Sequence, residues 1–265
     1  THDDNGNTLT EAIDSNVTTY VYDAKSKMTS VDKAGVVTGY SYDSNGIRTS
    51  KTEAGITTNF VVDLNRDYAQ VLEEVVGDIE TASASVTYTY GHDLLNQERG
   101  GVFRFYSYDG LGSTRALTDA AGAVTDTYSY EAFGDVLSET GVTENSYKFT
   151  GEQFDSSLDQ YYLRARYYDQ GVGRFTQQDT YMGDNFDPIT LHKYLYGNAD
   201  PVDFVDPTGN FGMTELAVTM NIVGVLTSMQ IGNALDVLEG QGVDVEDART
   251  ANRILGIATW EGRNL

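Results

Sequence analysis

With 265 residues, the chain is long enough to bury a sizeable core in one large β-rich domain or two ordinary ones. Its 40 acidic against 17 basic residues give a formal charge of −23, which repels phosphate backbones and anionic membranes and argues against any nucleic-acid partner. Cysteine is absent, so disulfides, thiolate zinc sites and cysteine nucleophiles are excluded together, and His2, His92 and His192 are too scattered for a metal cluster.

In chain order, no cationic-then-apolar leader follows Thr1. The opening HDDNG places Asp3 and Gly6 where Asp43 and Gly46 stand further on, so the chain reads as taken from inside a longer array. TYVYDAKSKMTS (19–30) and GYSYDSNGIRTS (39–50) align without a gap, which puts Asp23 and Asp43 twenty residues apart, and NFVVD brings Asp63 twenty further. Looser units follow at TYTYGHD (87–93), FYSYDGLGSTRALTD (105–119) and TYSYEAFGDVLSE (127–139).

Alternation along a strand puts both rings of Tyr-x-Tyr on one face. Tyr20/Tyr22, Tyr40/Tyr42, Tyr88/Tyr90, Tyr106/Tyr108 and Tyr128/Tyr130 follow the pattern, with Phe60/Val62 in the same slot. The Asp-x-x-Gly after it supplies an Asx-capped turn and a residue free to take positive φ, as with Asp43 and Gly46 or Asp109 and Gly112. Each twenty-residue unit therefore predicts two strands of about five to seven residues and two turns. One unit cannot bury its tyrosine face alone, so neighbours must join in a continuous sheet. A sheet-ladder role for the tyrosines is preferred over a carbohydrate- or base-stacking surface. The Asp-x-Asn-Gly loops lack EF-hand spacing, and neither a metal nor a cofactor is expected.

Several motifs then occur in a fixed succession: YSYDGLGSTRALTD, YEAFGDVL, YKFTGEQFD, YYLRARYYDQGVGRFTQQD and LHKYLYGNADPVDFVDPTG. Together with the Tyr-Asp repeats they resemble the RHS/YD-repeat proteins through about residues 1–212. The resemblance divides the chain into YD repeats (1–104), an RHS repeat-associated core (105–212) and a variable C-terminal tail (213–265). It implies a mainly β fold: a spiralling antiparallel sheet, part of a hollow shell, with a short α-helical tail. The implied function is a structural shell segment that encloses or presents its own C-terminal segment in a bacterial secreted toxin or effector system. Implied partners are that segment as cargo, another RHS chain, a second copy or delivery machinery, in a secreted or cell-surface setting. Animal members act in cell-surface adhesion, which leaves an adhesive or glycan-binding module as an alternative.

The core also carries implied chemistry. Many RHS cores cut their own chain after the last Asp-Pro-x-Gly-x motif with an aspartic-protease-like site. Carried over by motif, Asp179 in GRFTQQDT and Asp206 in DPTGN match the two aspartates, Arg166 in RARYYD matches the associated arginine, and the cut falls between Asn210 and Phe211. Two carboxylates brought close cannot both ionise comfortably, so one holds a proton while the other activates water. The alternative is plain turn chemistry, with Asp206-Pro-Thr-Gly as a turn and Arg166 in a structural ion pair. Two departures matter: Asp179 is followed by Thr-Tyr-Met-Gly rather than Pro-x-Gly, and Asn210 stands where self-cleaving members carry an apolar residue. RARYYDQGVGRFTQQDT itself predicts a strand, a turn at Gly171–Gly173 and a second strand, with Arg166 and Asp179 on opposite arms.

Beyond Gly212 the Tyr-x-Tyr pattern stops, and Leu216 to Leu235 contain no charged residue. Asn221, Ser228, Gln230 and Asn233 make this a poor membrane span, so membrane contact by the tail is disfavoured against a sheltered apolar helix. VDVEDARTANRILGIATW (243–260) reads as a second, amphipathic helix. Neither segment supplies a nuclease, deaminase or protease constellation.

Overall fold

A computed structural model describes residues 1–13, 16–183, 185–186 and 188–210 and the backbone of 213–214. Residues Thr1–Gly212 form one compact unit and Met213–Leu265 a second. The two predicted tail helices, and Phe211, lie outside the described residues.

The first unit is built on a 13-stranded antiparallel meander in which every strand pairs with its sequence neighbours. Its strands are β1 (Thr10–Ile13), β2 (Asn16–Tyr22), β3 (Met28–Lys33), β4 (Val36–Tyr42), β5 (Arg48–Glu53), β6 (Ile56–Asp63) and β7 (Gln70–Val76). They continue as β8 (Val86–Tyr90), β9 (Leu94–Arg99), β10 (Val102–Tyr108), β11 (Thr114–Thr118), β12 (Val124–Tyr130) and β13 (Val136–Thr140). The sheet runs through residue 104 without a break, from the repeats into the motif-rich region.

Between β2 and β6 two kinds of turn alternate, whereas β10–β11 and β11–β12 are both joined by Asp-x-x-Gly turns. In the Asp-x-x-Gly turns the side chain does the capping: Asp43 Oδ1 accepts the amides of Asn45 (2.9 Å) and Ile47 (2.8 Å), and Asp109 Oδ1 those of Leu111 and Ser113. The fourth residue takes positive φ, +78° at Gly46 and +59° even at Ser26. The opposite turns are two-residue loops with both φ positive, Ala34–Gly35 (54° and 82°), Ala54–Gly55 (49° and 80°) and Gly100–Gly101 (58° and 81°). Such turns follow the right-handed twist of the flanking strands, which keeps a long meander in register.

Alternation sends the tyrosines inward. In β4, Thr38 and Tyr40 are buried while Val37 and Ser41 face solvent. The second tyrosine of each pair stands next to a register shift, as at Val21/Tyr22, Ser41/Tyr42 and Ser129/Tyr130. At Tyr42, Tyr108 and Tyr130 the hydroxyl reaches across to the preceding strand: Tyr42 donates to the Met28 carbonyl (2.7 Å), Tyr108 to Leu94 (2.6 Å) and Tyr130 to Thr114 (2.9 Å).

A small antiparallel sheet fills the concave side: β14 (Gln153–Asp155), β15 (Gln160–Leu163), β16 (Arg166–Asp169) and β17 (Arg174–Phe175). All four residues of β15 are buried because the sheet is covered on both faces. Tyr162 and Tyr167 pack with Tyr20, Met28, Val31 and Tyr40 from the first strands. On the other face, Tyr161 and Tyr168 pack with Phe149, Phe175 and Tyr196, and their hydroxyls donate to the carbonyls of Gly134 (3.1 Å) and Phe133 (2.8 Å) just past β12. Early and late strands of the meander thus contact opposite faces of one inner sheet, so the large sheet curls around it. Among the described residues no helix is long and apolar enough to cross a membrane.

Candidate functional site

The inner sheet places the motif residues. Arg164 and Ala165 form the tight connection between β15 and β16, where Leu163 pairs with Arg166. Arg166 therefore opens β16, and Asp179 lies four residues past β17, where its amide donates to the Lys193 carbonyl (2.9 Å). The hairpin expected from RARYYDQGVGRFTQQDT is present as β16 and β17. Asp206 begins the turn that ends the described chain, its Oδ1 accepting the amides of Gly209 (2.9 Å) and Asn210 (3.1 Å) and the Thr208 hydroxyl (3.2 Å). At Gly209 φ is +75°, and a β-carbon there would run into the Leu163 carbonyl oxygen, so the turn requires glycine.

Arg166, Asp179 and Asp206 come together. Arg166 Nη2 lies 2.9 Å from Asp179 Oδ2 and 3.5 Å from Asp206 Oδ2. Its Nη1 donates to the Lys193 carbonyl (3.1 Å), its Nε donates to the Gly209 carbonyl, and its guanidinium sits 3.7 Å from the centre of the Phe175 ring. Burial holds the Arg166 guanidinium below its ordinary pKa, against the opposing pull of Asp179 and Asp206. A cation thus bridges the two carboxylates. Sharing a proton between them, as an aspartic dyad does, requires that guanidinium to move aside.

Residues that the motifs did not single out complete the neighbourhood. Arg164 Nη1 pairs with Glu152 Oε2 (2.6 Å) and donates to the Pro207 carbonyl, its Nε donates to the Ala69 carbonyl (2.8 Å), and its guanidinium covers the Tyr68 ring at 4.4 Å. Burial, opposed by Arg164, pushes Glu152 up to about 7. Lys27 Nζ donates to the carbonyls of Arg164 (3.3 Å) and Ala165 (3.1 Å), and burial lowers its pKa. Lys27, Arg164, Arg166, Gln178, Thr208 and Asn210 are among the walls of a cavity of about 360 Å³ at the end of the described chain. The only sequence hint of Arg164 was its place in a cation-rich segment of an acidic chain, and Glu152 stood unremarked in YKFTGEQFD. Among the described residues no cluster of three potential metal ligands occurs.

The repeat positions have structural work to do. Tyr22, Tyr42, Tyr108 and Tyr130 line the inner face, Asp23, Asp43 and Asp109 cap turns, and Gly46 supplies positive φ. These tyrosines are turned inward and so supply no exposed platform for the glycan-binding alternative.

No family model matches the chain. It is 34% identical over 150 residues to the tRNA3(Ser)-specific nuclease WapA of Bacillus spizizenii, a match covering 55% of this chain and 6% of that protein. It is 35% identical over 120 residues to the double-stranded DNA deaminase toxin A of Burkholderia cenocepacia, covering 42% of this chain and 8% of that protein. The chain therefore spans a small fraction of these relatives' length. Among solved structures, one chain of the Photorhabdus luminescens Tc holotoxin pore superposes with a TM-score of 0.61 at 16% identity, covering 80% of this chain and 11% of that one. A TcdB2–TccC3 chain gives a TM-score of 0.57 at 17% identity over 73% of this chain and 10% of its own. The chain shares their fold, which meets the RHS/YD resemblance at the level of architecture.

Proposed function

We propose that this chain is a segment of an RHS-type β-shell from a bacterial toxin system, and that it holds its own C-terminal segment. The observation that carries the reading is the curled 13-stranded sheet closed on an inner sheet from which the end of the described chain, residues 206–210, is hydrogen-bonded. The toxin names of the relatives and the shared fold with Tc toxin chains support it. Within this proposal the setting is secreted, and the partners are the C-terminal segment as cargo and a larger shell or delivery assembly. Limited proteolysis with mass mapping tests it: sites beyond residue 212 are cut more slowly in the native protein than in urea. Equal rates, with residues 1–212 left intact, sink the reading.

The convergence of Asp179 and Asp206 on Arg166 favours a second reading, a single self-cleavage after Asn210. In it, Asp206 and Arg166 bind the peptide upstream of the bond, and the attached substrate needs no capture from solution. Intact-mass measurement decides it. A fragment ending at Asn210, present in wild type and absent in Asp179→Asn, supports cleavage; a single uncut mass at mildly acidic pH rejects it.

A further inference from the structure

Arg164 and Ala165 of the β15–β16 connection and Arg166 at the start of β16 donate to three consecutive carbonyls of segment 206–210: Arg164 Nη1 to Pro207, the Ala165 amide to Thr208 (3.2 Å), and Arg166 Nε to Gly209. The middle rung is main chain and needs no particular side chain. Arg166 is the outer rung already described. Arg164 is the other, and its backbone stands at φ +57°, a left-handed conformation that favours glycine or asparagine. A tight turn gains nothing from arginine at such a position, whereas the side chain launched from it meets four partners: Glu152, Pro207, Ala69 and the Tyr68 ring. Two of these, Tyr68 and Ala69, belong to the β6–β7 loop of the large sheet, and Glu152 precedes β14 of the inner one.

We infer that Arg164, anchored by Glu152, is a positioning residue for segment 206–210, tying it at once to the inner sheet and to the β6–β7 loop of the curled sheet. This rests on the proposed reading of that segment as the place where a held C-terminal portion leaves the shell. Arg164 fixes Pro207 and Arg166 fixes Gly209, so the stretch between them cannot pivot, and Asn210 is presented at the wall of the 360 Å³ cavity. The pairing of Arg164 with a buried carboxylate fits this role, because a guanidinium with only carbonyl partners would carry an uncompensated charge into the interior.

The test exploits the strained turn. Arg164→Gly suits the positive φ and removes the side chain, and the double variant Glu152→Gln/Arg164→Gly also removes the carboxylate that would be left unpaired. Hydrogen exchange is read at the Gly209 and Asn210 amides, which Asp206 holds, and at the Thr176 amide, which is bonded to the Tyr167 carbonyl at 3.0 Å. In both variants, exchange at Gly209 and Asn210 rises at least tenfold while Thr176 keeps its rate. Arg164→Lys, which retains the charge but lacks the fork, behaves like Arg164→Gly. Unchanged exchange at Gly209 and Asn210 overturns the inference, as does an equal rise at all three amides, which marks a purely structural residue. Free exchange at both amides in the wild-type protein overturns the shell-exit reading itself, independently of any substitution.

Discussion

Arg48 is a charged residue in surroundings foreign to its type. It sits on β5, twenty residues after Met28, and both side chains are buried, at 2% and 0% exposure. One repeat therefore places a charge in the slot where the previous unit has an apolar side chain. The charge is paired through its terminal nitrogens: Nη1 donates to Asp155 Oδ2 (2.7 Å) and the Tyr167 hydroxyl (3.1 Å), and Nη2 to Gln153 Oε1 (2.8 Å), while Nε is buried without a hydrogen-bond partner among the described residues. The guanidinium also lies 4.3 Å from the centre of the Tyr162 ring. Burial alone would raise the Asp155 pKa, but Arg48 and Lys51 together hold it below the usual carboxylate range. Removing Arg48 leaves Asp155 buried with Lys51 alone to offset its charge. Arg48→Ala is accordingly expected to cost about 3–5 kcal/mol in urea unfolding, and Arg48→Met/Asp155→Leu to recover most of it. A loss below about 1 kcal/mol in the single variant would mean that the pair does not join the two sheets. Nothing in GIRTS announced this role, because the partner lies 107 residues away.

At the scale of strands and turns, the two-residue loops carry a measurable strain. Ala34 and Ala54 occupy left-handed φ, where a β-carbon is disfavoured by about 1–2 kcal/mol, while a glycine there gives back about 0.4–1 kcal/mol through the freer unfolded chain. Ala34→Gly and Ala54→Gly should each stabilise the protein by about 0.5 kcal/mol, additively, since the turns are separate. Gly35→Ala should destabilise by about 1 kcal/mol or more, and thermal melts of the set check the signs. These loops also explain what the repeat made legible. A twenty-residue period with Asp-x-x-Gly at one end leaves room only for two short strands and a second, tighter turn, and the meander has that form. The inner sheet was less readable because QYYL (160–163) is buried on both faces, which erases the alternation that betrays a half-exposed strand. The candidate site was visible in part. Arg166, Asp179 and Asp206 stood out only through ordered motifs, whereas Arg164 and Glu152 owe their meeting to a left-handed turn that no periodicity reports.

For the whole folded unit, buried acids and net charge combine into a dependence on pH that can be worked out in sign. Glu152, pushed up to about 7, and Asp169, pushed up to about 6, are both raised chiefly by burial. A carboxyl that binds its proton more tightly when folded contributes stability fully below its unfolded pKa, and loses it as pH rises through the folded value. Their contribution is therefore fullest at low pH and is lost as pH rises through about 6 for Asp169 and about 7 for Glu152, the partly exposed Asp169 contributing less. Asp155 runs the other way: its pKa is lowered on folding, so its contribution is present above pH about 4 and lost as pH falls below that. Stability should peak between these limits, with a higher urea midpoint at pH 5.5 than at pH 8. The formal charge of −23 pushes in the same direction, since protonation relieves repulsion among surface carboxylates. Salt separates the two causes, because half-molar salt screens exposed charges far more than buried ones. If the difference between pH 5.5 and pH 8 survives in half-molar salt and shrinks in Glu152→Gln and Asp169→Asn, the buried carboxyls are responsible. If salt abolishes it and those substitutions leave it unchanged, the acidic surface is the whole cause.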